Sequence, residues 1–185
     1  MNRKTALLLL APGFEEIEAL ATADVLRRLN CRVLLTGVDS LTVRGSHHIS
    51  VTAETLLADA PAADAVILPG GLPGSTNLWD SQAVTALLKQ YKAEGKYIAA
   101  ICAAPTVLKH AGIAENTVMT GYPGCEPLAG SDDLHFTGAM TECDGTIITG
   151  KGPGASFLFA AEIARKVFGV PEQEIENVLG GMFVL

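Results

Sequence analysis

Three short runs carry no polar residue on either face: Ala6-Leu-Leu-Leu-Leu10, Ala65-Val-Ile-Leu68 and Ile98-Ala-Ala-Ile101. A strand with one wet face alternates apolar and polar residues. A run that is apolar at every position must be covered on both faces. Turn residues and then a helical pattern follow each run. This alternation predicts an α/β chain built on a mostly parallel sheet flanked by helices. Such sheets bind ligands beyond the carboxyl ends of their strands. Chemistry is therefore expected just past positions 10, 68 and 101.

Past the first run, Pro12-Gly13 breaks the strand and a helix is predicted over 14–29. Glu15 and Glu16 fall in its first turn, where carboxylates complement the helix dipole. Glu18 shares a largely apolar stripe with Phe14, Ala21, Thr22 and Val25, so it lies either at the rim or buried with a raised pKa. Past the second run, Gly70-Gly71 is either a tight turn or a place where backbone N–H groups approach a ligand closely. Past the third, Cys102 stands on a strand-to-helix corner, with Pro105 pre-set for the first helical turn. That corner resembles a nucleophile elbow carrying sulfur, and a helix start is expected to favour the thiolate. The alternative is a small buried cysteine.

The remaining segments fill out one domain over residues 1–185. A strand is predicted over 32–37, followed by a hairpin from 42–43 to 49–51 that turns at Gly45-Ser46. His47 and His48 fall in that excursion. Neighbours on a strand face opposite ways, so the pair is not read as a metal site. An amphipathic helix is expected over 80–94 and a strand over 116–120, then a turn-rich loop ending at Cys125. A hairpin at Cys143-Asp144-Gly145 and helices over 155–168 and 171–179 complete the chain.

Composition excludes several functions. A net charge of −7 without a Lys/Arg cluster argues against a nucleic-acid surface. No run has the length of a membrane span, and the apolar start is too short and wrongly flanked for a secretory signal. The four cysteines show no C-x-x-C spacing, so neither a metal site nor a disulfide framework is suggested. A reducing, cytoplasmic setting follows. Neither G-x-G-x-x-G nor G-K-[ST] occurs, so no dinucleotide or nucleotide cofactor is expected.

Four motifs together resemble the ThiJ/PfpI superfamily, in its deglycase and YajL-like branch. They are Ala11-Pro-Gly-Phe-Glu-Glu-Ile-Glu18, Leu68-Pro-Gly-Gly-Leu-Pro-Gly74, Ala99-Ala-Ile-Cys-Ala-Ala-Pro105 and Gly152-Pro-Gly-Ala-Ser-Phe157, in the family's order. The resemblance implies a flavodoxin-like three-layer sandwich, usually a homodimer with helix one near the interface. It implies a nucleophile at Cys102 and a buried, protonated partner acid at Glu18. Anion-binding amides fall on Gly71 and Ala103, beside Gly70. Arg28 matches an arginine near the pocket, and His47 stands near a second one. Many relatives carry a histidine in the loop that here reads Gly121-Tyr122-Pro123, and YajL-like members lack it. Tyr122 and Pro123 are then pocket residues, and Ala103 replaces the histidine of the protease-like branch. The implied activity is cofactor-independent and acts on small α-oxoaldehydes such as methylglyoxal, or on their adducts on glycated proteins. The alternative is a redox-sensing stress chaperone that uses oxidation of the same cysteine. Cys125 is read either as a resolving thiol for it or as an ordinary loop cysteine.

Overall fold

The computed structural model describes residues 4–129 and 135–184. Its main sheet has seven strands: β1 (Thr5–Leu10), β2 (Arg32–Gly37), β5 (Thr55–Leu56), β6 (Ala65–Leu68), β7 (Tyr97–Ile101), β8 (Thr141–Asp144) and β9 (Ile147–Gly150). Their order is β5-β2-β1-β6-β7-β9-β8. Every neighbouring pair is parallel except the β8–β9 hairpin at the edge. A separate hairpin pairs β3 (Thr42–Arg44) with β4 (Ser50–Thr52).

The apolar runs supply both cores at once, because successive side chains face opposite ways. Ala6, Leu8 and Leu10 of β1 join Ile67 and Ile101 on the face covered by α1 (Glu16–Arg28) and α5 (Ser156–Ile163). Leu7 and Leu9 join Val66, Leu68 and Ile98 on the face covered by α3 (Gln82–Ala93) and α4 (Pro105–His110). The chain leaves β1 for β2 on one side and later returns to β6 on the other. The carboxyl ends of β1 and β6 therefore flank a topological switch point, with β7 next to β6.

Several expectations are corrected. The strand predicted over 116–120 reduces to a single bridge, Met119 to Phe136. Its donors are diverted to side chains: the Val118 N–H to Asp144 and the Thr120 N–H to the Thr149 hydroxyl. A helix not predicted, α2 (Gly74–Asp80), precedes α3. The helix predicted over 155–168 relaxes into a π-turn at Ala164–Phe168. The last helix, α6 (Glu172–Gly181), runs through the glycines expected to end it. No helix among the described residues is long and apolar enough to cross a membrane.

Candidate active site

β7 delivers Cys102 into a left-handed bend, with φ at +66°. That conformation costs an L-residue about 1–2 kcal/mol and persists only where neighbours impose it. Two hydrogen bonds do so here. The Cys102 N–H donates to the Gly150 carbonyl, and its own carbonyl accepts the Tyr122 N–H, both at 2.8 Å. The side chain is mostly buried, at 8% exposure. The turn after β6 comes in directly against it and brings the Gly71 N–H to the sulfur, which the N–H of Ala103, next in its own corner, also reaches.

Glu18 is buried, at 1% exposure, which overturns the rim placement its helical stripe left open. Glu15 caps α1 by accepting the Glu18 N–H at 2.8 Å. This fixes the first turn and aims the Glu18 side chain inward. There Glu18 Oε2 accepts the Gly70 N–H at 2.8 Å. Oε1 is buried without a hydrogen-bond partner among the described residues, and the Cys102 sulfur is close enough to couple to the carboxyl group.

Burial pushes the Glu18 carboxyl up to about 7, with the Glu15 charge adding to the rise; Cys102 and the Gly70 amide act the other way. Burial also pushes the Cys102 thiol up. The charge of Glu18 and the closeness of its carboxyl group to the sulfur add to that, and the Gly71 and Ala103 amides oppose it. A helix start was expected to favour the thiolate, and that expectation is corrected. α4 is only six residues long, and the sulfur lies in a buried corner beside an acid. The pair titrates as a unit. Burial of the Glu18 carboxyl holds the first proton of the pair up to near neutrality.

The other predicted residues separate. Tyr122 and Pro123 line an open cleft of about 190 Å³ with Met140, Lys151 and Pro153. Arg28 is at the far end of α1, twelve residues and about 18 Å from Glu16 at the helical rise. There it pairs with Asp24 at 2.7 Å, so this chain does not bring it to its own site. His47 is exposed and clasps Glu16. Its Nδ1 and backbone N–H both reach the Glu16 carboxylate at 2.8 Å, with the Ile49 N–H and Ser46 hydroxyl on the same oxygens. His110 stacks on Trp79 at 4.9 Å between ring centroids and supplies no base. Burial raises the Cys125 thiol, and the charges of Glu126 and Glu18 contribute, so its loop lies within reach of the site's field.

Glu15, Glu16 and His47 could present ligand atoms within 4.8 Å of one another. The Glu16 oxygens already accept four donors, which makes the group a clasp on the 45–49 loop. Glu15 and Glu16 were read only as dipole partners. Their neighbours arrive from residues 45–49, and no local pattern announces them.

Fold and corner together define an α/β sandwich protein with a strained cysteine and a buried acid at the carboxyl edge of its sheet. The chain belongs to the DJ-1/PfpI family, whose family model matches residues 4–166. It is 38% identical over 184 residues to Protein dj-1beta of Drosophila melanogaster, covering 98% of this chain and 97% of that one. The solved structure of Drosophila melanogaster DJ-1beta superposes with a TM-score of 0.92 at 36% identity, over 100% of both chains. A Caenorhabditis elegans relative named glutathione-independent glyoxalase DJR-1.2 is 34% identical over 174 residues, 92% of each chain.

Proposed function

We propose that this protein converts α-oxoaldehydes, R–CO–CHO, to α-hydroxy acids without a redox cofactor. The observation that carries this is the grouping at one sulfur of a near-neutral carboxyl group and two backbone N–H donors. Glu18 carboxylate takes the thiol proton as the Cys102 sulfur adds to the aldehyde carbon. The N–H groups of Gly71 and Ala103 hold the oxyanion that forms. Glu18 passes the thiol proton to the ketone oxygen, and the carboxylate so restored moves the proton of the aldehyde carbon to the neighbouring ketone carbon. The first is oxidised to a thioester while the second is reduced to an alcohol, so no outside electron acceptor is needed. Water hydrolyses the thioester and restores the thiol. Adducts of the same aldehydes on proteins present the same carbon pair. The relative named as a glyoxalase supports this substrate class. Replacing Cys102 by Ala or Ser should abolish lactate formation from methylglyoxal, and unchanged turnover would end the proposal.

A second reading, redox sensing with a chaperone role, rests on the same donors. Two amides and a protonated Glu18 match the oxygens of a sulfinate at Cys102. Mild peroxide should then add two oxygens to Cys102 alone, and spread of oxidation to Cys31, Cys125 and Cys143 would count against it.

A homodimer is part of the proposal. Ile17, Leu20, Ile49 and Leu72 are exposed, and all surround the start of α1. The Ile49 N–H reaches Glu16, and a Cβ on Gly71, next to Leu72, would lie 2.6 Å from the Glu15 nitrogen.

A further inference from the structure

The mechanism above uses the sulfur, one acid and two amides. It leaves unused the open cleft bounded by Tyr122, Pro123, Met140, Lys151, Gly152 and Pro153, which holds about 190 Å³. This cleft is joined to the nucleophile through two backbone connections. Tyr122 on one wall donates its N–H to the Cys102 carbonyl at 2.8 Å. On the other side the Cys102 N–H donates to Gly150, and the chain runs on directly through Lys151 and Gly152 into the cleft floor. The walls are apolar. Tyr122 is 49% exposed and Met140 44%, so both present uncovered apolar surface to the space between them. The Tyr122 ring can lie against the floor because residue 152 is glycine, where a Cβ would stand 3.2 Å from a ring carbon. The one charge in the lining is turned away from the cleft, since Lys151 Nζ is tied to the Gly138 carbonyl at 3.0 Å.

Resting on the reading in the previous section, we infer that this cleft receives the substituent R of the α-oxoaldehyde. It selects substrates with an aromatic or branched apolar group over methylglyoxal. Size decides this. An apolar cavity of about 150 Å³ is enough to hold a benzene ring. A methyl group would leave most of the cleft wet, whereas a phenyl group fills it against an aromatic ring and a methionine, both favourable partners. Pro153 and Pro123 stiffen the two edges, so the pocket is formed before substrate arrives. Tyr122 and Met140 are thereby specificity-determining residues, and the bond-making atoms remain those of Cys102 and Glu18.

The test compares phenylglyoxal with methylglyoxal and adds a readout independent of turnover. In wild-type protein kcat/KM for phenylglyoxal should exceed that for methylglyoxal by about tenfold or more, the scale of discrimination an apolar pocket provides. Gly154 also lines the cleft, and a Cβ there meets no atom within 4 Å, so Gly154→Leu adds apolar bulk at the cleft without a clash. It should lower the phenylglyoxal-to-methylglyoxal ratio by about tenfold with an unchanged melting profile. Separately, acetophenone, which keeps the ring but lacks the aldehyde, should shift the Met140 methyl NMR signal saturably in wild type. It should leave Met119 and Met182 in place and lose its effect in Gly154→Leu. A ratio near one, or one that Gly154→Leu leaves unmoved, overturns the inference while methylglyoxal turnover still upholds the proposed function. Absence of turnover with either aldehyde overturns the proposed function and this inference with it; a persisting Met140 shift then marks the cleft as an aromatic-binding site unconnected to that chemistry.

Discussion

Gly70 lies so close to Cys102 that a Cβ built on it would stand 2.7 Å from the cysteine Cβ, and 2.8 Å from the Ile101 carbonyl oxygen. Real carbons do not approach that closely, so Gly70→Ala must move the turn after β6 or the corner after β7. Either movement breaks the alignment of sulfur, Glu18 and the Gly71 amide. We predict a loss of kcat/KM toward methylglyoxal of about a hundredfold, the usual effect of displacing a reacting group by about an ångström. The melt should show a destabilisation of about 1–3 kcal/mol, the scale of overpacking a filled site. Wild-type activity in a folded Gly70→Ala protein would show that this contact does not set the corner.

Glu18→Gln should separate stability from catalysis. The carboxyl rises from an ordinary 4.5 to about 7 in the fold, mainly through burial. Between those values the folded state holds a proton that the unfolded chain has released. Stability therefore falls as pH rises through that window, by about 3 kcal/mol in total. Glutamine has no proton to lose. Denaturant melts should find the variant more stable than wild type above pH 7, with the difference shrinking toward pH 4.5. Its turnover should drop sharply. The acid limb of the wild-type rate profile, with a midpoint near 7, should vanish with it. A wild-type rate that stays flat from pH 5 to 8 would remove Glu18 from the base role.

His47 titrates in the opposite sense. Its hydrogen bond to Glu16 raises its pKa above the ordinary 6.5, with the charges of Glu16 and Glu15 adding and slight desolvation opposing. A histidine whose folded pKa is raised gives stability that is fully present below its unfolded value and is lost as pH climbs through the folded one. NMR titration should place His47 above a free histidine, and Glu16→Gln should bring it down. The clasp is mutual: burial raises Glu16, but His47 and the backbone N–H groups of the loop outweigh it and hold the carboxyl low. An unshifted His47 in wild type would mean the clasp is open in solution.

The residues differ in how plainly they could be read. β1, β6 and β7 were legible because each is apolar on both faces, a pattern that only a covered parallel strand produces. Cys102 was legible as a corner because Pro105 marks the helix start behind it. Glu18 was not settled by its own neighbourhood. A helical stripe looks the same at a rim and in a core, and what decides is the Gly70 N–H arriving from 52 residues away. The direction of the thiol's shift was misread for a related reason: the helix start is local, while burial belongs to the whole fold. α2 was missed because Gly74-Ser-Thr-Asn77 carries poor helix formers, and contacts such as Gly74 N–H to the Gly13 carbonyl at 3.1 Å hold it in place. The strand over 116–120 failed because β propensity at Thr117-Val-Met-Thr120 found no adjacent strand among the described residues beyond a single bridge.

The exposed group around α1 gives the last prediction. Ile17 and Leu20 are three residues apart and share one face of α1, at 53% and 37% exposure. Ile49 and Leu72, exposed at 55% and 51%, belong to segments that meet the start of the same helix at Glu16 and Glu15. An apolar patch of this kind next to a functional site is what an interface between copies requires. Leu20→Asp would bury a carboxylate at the centre of such an interface, and it should weaken dimerisation by about 3 kcal/mol, roughly a hundredfold in Kd. Sedimentation equilibrium at micromolar protein would read the change directly. Because Glu15 and Gly71 adjoin the patch, the monomeric variant should also lose turnover, and raising its concentration should restore it. A wild-type protein that sediments as a monomer, or a Leu20→Asp variant that stays dimeric, would assign these four side chains to another purpose.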